Sequence, residues 1–484
     1  MKKATALWVC LASGALWIGC GDDASNIPPG TGGSGGTGGS GGMAGSGGSG
    51  GSGGMAGSGG SGGMAGSGGS GGMAGSGGSG GTGGSGGTGG VGGSGGTGSG
   101  IISMGGGTVF ESETHVAADA NGNVVAAWIA IFSGGTSSTG YAVSHDNGAT
   151  WTAPKRIDSP GMGAVSSDPV VAVDPQGHFY VTWVGFVRTG GQGATDMHIY
   201  VSKLGAMDTF GTPVETSDGS TTSSLDKPWI TVDGAGAVLN TWADLGNGAL
   251  LFAKSTDGGA TFTRSTIVSN GGRNLMFPCS DPATPTGPYY VTYIAGSNVG
   301  VRRSMDGGTT WALVVPNAPA TDAVFQDPTC AVHGNDLWVA YAQGTQGFTS
   351  ASTPPGDAVH VLHSPDSGAT YGAAVTVSNG PSGSEYLLPQ LTRTAGGKLE
   401  MIYYQGAGEG SPATLVRAES ADQGATWTSS AAYMPGTFTR NRAAVSWLGD
   451  YEGLFAAGGN LYSVFGDNTL SGHTHIRFLR FAIP

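Results

Sequence analysis

From about residue 101 onward, apolar and polar residues alternate in short runs that come in pairs. DPVVAVDPQGHFYVTW (168–183) is the clearest pair: an alternating run, a Pro-Gln-Gly turn, and a second run ending in Trp183. The unit recurs as ETHVAADANGNVVAAW (113–128), DKPWITVDGAGAVLNTW (226–242) and DPTCAVHGNDLWVAY (327–341). Looser copies are FPCSDPATPTGPYYVTY (277–293), LPQLTRTAGGKLEMIY (388–403) and DYEGLFAAGGNLYSVF (450–465). Period-two patterning around a Gly, Asn or Asp turn predicts a β-hairpin, and no stretch carries helical periodicity. Two further strands per unit, repeating about every 50–60 residues, predict an all-β propeller of four-stranded blades. The count is seven blades, or six if the first or last hairpin is only a closing piece. The last blade lacks its outermost strand, which the segment around Gly107-Thr108-Val109-Phe110 is expected to supply.

A second phrase lies between the hairpins. SHDNGATW (144–151) returns as STDGGATF (255–262), SMDGGTTW (304–311), SPDSGATY (364–371) and SADQGATW (420–427). Its skeleton suits a tight turn between the third and fourth strands of a blade. Asp accepts from turn amides, Ser and Thr bond locally, and Gly takes a positive φ. After the second hairpin the phrase is eroded, as YVSKLGAMDTFGTPVE (200–215). The phrase resembles the Asp-box, or bacterial neuraminidase repeat. That resemblance implies a structural role on the rim for Asp146, Asp257, Asp306, Asp366 and Asp422, away from any active site. An EF-hand reading fails because no copy supplies the later ligands of such a loop.

Composition separates the first hundred residues from the rest. Gly accounts for 98 of 484 residues, and between about Gly30 and Gly100 little but Gly, Ser, Thr, Ala and Met occurs. Such a segment has too little apolar surface to offset its ordering entropy and is expected to be a disordered linker. At about 70 residues it has an r.m.s. span of roughly 45–50 Å. Its GGSGG windows match nucleophile and dinucleotide motifs only by composition, without the flanking strand and helix those motifs need.

The N-terminus, MKKATALWVCLASGALWIGC, has two lysines and then a short apolar run, the grammar of an export signal. Leu16-Trp17-Ile18-Gly19-Cys20 resembles a bacterial lipobox, which implies lipidation of Cys20. The expected organisation is a signal peptide over 1–19, lipidated Cys20 with its linker over 20–100, and a propeller over 101–484. The expected location is the cell envelope, lipid-anchored and surface-exposed. In an oxidising compartment Cys279 and Cys330 are candidates for a disulfide. With net charge −13 and no basic runs, the nucleic-acid-binding class is excluded.

Aligning the hairpins brings several acids to the starts of the innermost strands, where a propeller's channel opens. They are Glu113, Asp168, Asp226 with Lys227, Asp327, and Asp450 with Tyr451, while the sixth hairpin places Leu388 there, after Glu385 and Tyr386. Asp281 is expected slightly deeper. Three readings stay open for this ring: turn-capping acids, a cation site such as Ca²⁺, or a carboxylate pair for glycoside hydrolysis.

The Asp-box resemblance brings the sialidases with it. Their pattern implies six blades, three arginines gripping a substrate carboxylate, a Tyr–Glu nucleophile pair and an Asp acid/base. Here no Arg stands between Ile101 and Lys155, so the first arginine of the pattern is missing. Arg273, Arg440 and Arg442 precede hairpins, and Tyr451-Glu452 sets a Tyr beside a Glu. Trp229 and Trp447 are stacking candidates, whereas Trp128, Trp183 and Trp242 are expected in the blade core. His473 and His475 share a strand face without an evident third metal ligand. No metal or cofactor is assigned. Two functions follow: a monomeric propeller recognising a glycan or an extracellular protein at the channel mouth, or a sialidase-like glycoside hydrolase using paired carboxylates there.

Overall fold

A computed structural model describes residues 96–104, 108–133, 136–160, 165–189, 193–218, 224–270, 276–314, 326–345, 352–470 and 473–483. They form seven antiparallel sheets, six of them following the chain outward from the innermost strand. The innermost strands of blades 1–7 are Thr108–Ala118, Ser166–Val173, Leu225–Val232, Met276–Cys279, Thr329–His333, Glu385–Arg393 and Gly453–Ala457. The count is therefore seven, not six. Blade 7 is closed by Gly96–Ile101, which pairs with His475–Ala482 in the register Ile101↔Arg477. This corrects the expectation for residues 107–110, since Thr108–Phe110 begins the first strand of blade 1. Gly96–Gly100, expected as the end of the linker, thus belong to the closing strand Gly96–Ile101.

Near-continuous apolar runs such as VVAAWIAIF (124–132) put apolar side chains on both faces of a blade, and the core lies between neighbouring blades. Trp128 packs with Val464 and Phe478 between blades 1 and 7, and Trp183 with Val125 and Tyr141 between blades 1 and 2. Trp242 packs with Val184 and Ile199 between blades 2 and 3. Burying one such ring removes ~150–250 Å² from water, about 4–6 kcal/mol before ordering costs at ~25 cal/mol per Å². Trp128, Trp183 and Trp242 are thus core residues, as their positions at strand ends imply.

The repeated phrase forms the turn between third and fourth strands. In its first copy, Asp146 Oδ1 accepts from the Thr150 amide (2.8 Å) and the Ser144 hydroxyl (2.8 Å), and Oδ2 from the Thr150 hydroxyl (2.6 Å). Asp257, Asp306, Asp366 and Asp422 repeat this pattern. The Thr hydroxyls, then the turn amides and Ser hydroxyls, hold Asp146, Asp306 and Asp422 down to about 2. Each turn also touches the preceding blade. Gly148 (φ +78°) leaves no room for a Cβ against the Phe478 ring of blade 7, on which Trp151 packs edge-on at 5.0 Å. Gly308 meets Phe252 of blade 3 in the same way, with Trp311 at 5.1 Å. The phrase recurs because these turns clasp blade to blade. In blade 2, where it is eroded, a short turn at Ala206–Asp208 is held by blade 1 instead. Lys155 Nζ donates to the Met207 and Asp208 carbonyls (2.7 and 2.8 Å), and His145 meets the Asp208 carboxylate.

Candidate functional site

The innermost strands share one irregularity. Between Ser112 and His115, Ser167 and Val170, Asp226 and Trp229, and Leu387 and Gln390 the ladder slips, and one residue in each gap has a positive φ. Those residues are Glu113 (52°), Asp168 (53°), Lys227 (46°) and Leu388 (57°). A bulge re-aims a side chain, and here Glu113, Asp168 and Lys227 meet. The equivalent of Glu113 and Asp168 in blade 3 is thus Lys227 and not Asp226, a correction of one residue to the sequence alignment.

Lys227 Nζ lies 2.7 Å from Glu113 Oε1, 2.7 Å from Asp168 Oδ1 and 3.4 Å from Asp450 Oδ2. Its ammonium also faces the Tyr451 ring at 5.2 Å. Asp226 Oδ1 accepts from the Lys227 amide (2.9 Å), and Arg442 Nη2 donates to Asp450 Oδ1 (3.1 Å). Asp327 stands close enough to be coupled to Lys227, Asp450 and Asp226, yet neither carboxyl oxygen has a hydrogen-bond partner among the described residues. Burial alone would lower the Lys227 amine, but Asp168, Glu113 and Asp450 hold it well above its usual range. Burial, reinforced by Asp168, pushes Glu113 well up despite Lys227, and burial does the same to Asp327. For Asp450, Arg442 and Lys227 outweigh burial and keep the carboxyl low. Glu113 and Asp327 thus keep their protons more readily than an ordinary carboxyl.

This cluster is not at an open mouth, where the sequence alignment placed it. No member from Glu113 to Asp450 is more than 4% exposed. Ser352–Gly356, from the connection between the second and third strands of blade 5, straps over it. Ser352 bridges to Asn441 and Gly356 to Tyr386, the Thr353 amide donates to Arg440 O (3.1 Å), and Thr353 Oγ1 donates to Asp450 Oδ1 (3.0 Å). Gln326 pins the strap through Pro354 O (2.6 Å) and accepts from the Leu388 amide (2.6 Å).

The other candidates disperse. Tyr451 and Glu452 are not a pair: the Tyr451 hydroxyl donates to Pro169 O (3.2 Å), whereas Glu452 accepts from Tyr404 (2.7 Å) and Thr114 (2.9 Å). Both are buried, and burial raises both well above their usual values. Arg440 pairs with Glu385 and Glu409, apart from the buried Arg442. Trp447 is buried, its indole N–H near Thr353 Oγ1 (3.4 Å). The rings of His473 and His475 lie 4.1 Å apart. Arg273, Cys20, the signal segment and the linker as far as residue 95 lie outside the described residues. Among the described residues no group of three or more His, Cys, Asp or Glu is arranged to hold a metal ion, and at the acid ring the Lys227 ammonium takes the central place.

Two residues past the bulges the shaft is closed by aromatic rings. Trp229 packs on Phe277 (4.6 Å), Tyr451 (5.2 Å) and, edge-on, His115 (5.3 Å). Beyond this plug the shaft opens as a cavity of about 520 Å³ toward the face that carries the Asp turns. Cys279 and Cys330 are joined across blades 4 and 5 in its wall, Cα–Cα 6.0 Å. Asp281, expected just below the acid ring, lies instead at this open end. Burial would raise it, but the Gly334 and Ala283 amides and the Thr284 hydroxyl keep its carboxyl low. His115 at the plug accepts from the Val171 amide at Nδ1 (3.4 Å), and burial lowers it to about 3, so it is neutral with its proton on Nε2. Sequence reading missed His115, Thr353 and Arg393.

No family model matches the chain, and no curated protein matches it. Solved structures do. One is a protein of unknown function from Dyadobacter fermentans, 14% identical, TM-score 0.46, covering 80% of this chain and 99% of that one. A Hadza microbial sialidase, Hz136, is 14% identical at TM-score 0.44, over 78% of this chain and 66% of its own. The intramolecular trans-sialidase from Ruminococcus gnavus is 13% identical at TM-score 0.42, over 81% and 99%. At these scores the likeness carries no argument, and the seven-bladed β-propeller is read from the chain's own strand order.

Proposed function

We propose that this chain is a recognition propeller for a glycan or an extracellular protein, exported and held at the cell surface by a lipid on Cys20 and the Gly/Ser linker. The observation that carries the choice of binder over hydrolase is the burial of the acid ring in a shared ion cluster. A glycosidase needs two carboxyl groups flanking the scissile bond, one as acid and one as base or nucleophile. Glu113, Asp168 and Asp450 instead share one ammonium under the Ser352–Gly356 strap. The separation of Tyr451 from Glu452 and the absence of an Arg between Ile101 and Lys155 point the same way.

The test incubates the full mature chain with a panel of polysaccharides and sialylated glycans. Released sugars and thermal stability are followed together. Ligand-dependent stabilisation without product is the expected result. Product release that disappears in Asp168→Asn, with the fold intact, would return the chain to the hydrolases.

A further inference from the structure

We infer that the buried hub is a site of self-modification, where Lys227 and Asp168 condense to an amide and Glu113 carries the protons. The bond would tie blade 3 to blade 2 at the axis. The three groups are already in contact. Lys227 Nζ lies 2.7 Å from Asp168 Oδ1 and 2.7 Å from Glu113 Oε1. A carboxyl C–O bond is about 1.2 Å long, so the Asp168 carboxyl carbon lies within about 4 Å of the nitrogen. Near-attack geometry requires ~3–3.5 Å, a shift that a side-chain rotation supplies. Each of the three residues stands at a positive φ, 53° at Asp168, 46° at Lys227 and 52° at Glu113. Backbone strain of that kind costs about 1–3 kcal/mol per residue and gathers at sites that do chemistry. Here it aims three side chains, from three blades, at one point.

Ion pairing alone leaves the cluster unfinished. Asp168 Oδ2 and Glu113 Oε2 are buried without a hydrogen-bond partner among the described residues. An orphaned buried acceptor costs about 1–3 kcal/mol, and condensation removes one Asp168 oxygen from the protein altogether. The setting favours the step. The three side chains are at most 1% exposed, between the Trp229 plug and the Ser352–Gly356 strap, so bulk water has little access to reverse it. Groups held in such contact react as if at an effective concentration of ~10⁵–10⁸ M. Glu113 suits the proton-carrying role because burial and Asp168 favour a proton on it. The acids hold Lys227 in its charged form, but a proton passed across the 2.7 Å contact to Glu113 stays inside the cluster. The freed amine lone pair attacks Asp168 Cγ, a C–N bond forms and one C–O bond breaks. Of the three ammonium protons, two pass through Glu113 to the departing oxygen, which leaves as water, and one stays on the amide nitrogen. Glu113 is returned unchanged, and no electrons are gained or lost. The product closes a covalent loop between positions 59 residues apart.

Peptide mapping of the full mature chain, denatured and digested with trypsin, tests this without any variant. The expected result is a branched peptide joining the segment that holds Asp168 to the one that holds Lys227. It should be lighter than their sum by one water, and fragmentation should place the link on those two side chains. Amine labelling of the denatured chain should correspondingly miss Lys227. Glu113→Gln leaves the amine and Asp168 in place but removes the proton carrier, so the joined fraction at a fixed time should fall at least about tenfold. Asp168→Ala should abolish it. Separate, unmodified peptides in the folded parent overturn the inference. So does a water lost within a single peptide, which marks a cyclic imide at an aspartate, or a link that runs through Glu113 instead. A joined fraction undiminished in Glu113→Gln overturns the role given to Glu113.

Discussion

The two halves of the central shaft are built from the same seven strands and behave as opposites. On one side of the Trp229 plug, bulges with positive φ turn Glu113, Asp168 and Lys227 inward, and the shaft becomes a sealed charged hub. On the other side the strands run without those bulges and leave an open cavity. The difference teaches that in this fold the position of a single inserted residue decides whether a strand contributes chemistry to the axis or only a wall. It also separates two roles that composition alone would merge: acids on the axis serve cohesion around Lys227, whereas Asp281 at the other end is held by turn amides beside the half-exposed His333.

Breaking the hub should have the largest effect. Lys227→Met leaves several buried carboxylates without their ammonium, and urea unfolding should show a loss of about 3–5 kcal/mol. Arg393→Gln, at the open end, should stay within about 0.5 kcal/mol of the parent. Next in size is the wall shared by blades 4 and 5. Replacing Cys279 and Cys330 with Ser releases a loop of 51 residues, and a loss of about 2–4 kcal/mol is expected.

A third effect lies in pH. Glu113 and Asp327 hold protons in the folded state that the unfolded chain releases near its ordinary carboxyl values. Their contribution to stability is therefore full below the unfolded values and declines as pH rises toward the raised folded ones. Asp327→Asn should flatten the decline in stability that sets in as pH rises above the ordinary carboxyl range. The turn acids work in the opposite sense. Asp146 and its fellows have depressed values, so their contribution is present above the unfolded value and fades as pH falls toward about 2. Asp146→Ala should give the smallest change, a modest loss at neutral pH that vanishes in acid.

Much of the fold was legible because alternation and the Asp phrase repeat often enough to count blades. The closing strand was not. Gly96–Ile101, GTGSGI, has almost no side chains to alternate, and its pairing with blade 7 is carried by backbone groups that leave no pattern in the sequence. The acids of the ring could be gathered by aligning hairpins. The alignment followed residue type, however, and so chose Asp226, while the backbone chose Lys227. The seal was invisible for a different reason: Ser-Thr-Pro-Pro-Gly at 352–356 looks like any polar connection, and only its bonds to Arg440, Tyr386 and Asp450 make it a roof. The Asp turns were legible in place and role, though not in their second duty of gripping the blade before.

The glycine-rich closing strand has a mechanical consequence. It is the outermost strand of the last blade, at the rim and not near the axle. A pull applied to the backbone at Gly96 would load that strand first. With few side chains to anchor it, it yields by peeling, one backbone pair after another from Gly96 toward Ile101, while the ion-paired hub bears none of the strain. The latch is thus the molecule's fuse, and the least adorned strand sets how hard the wheel can be pulled before it opens.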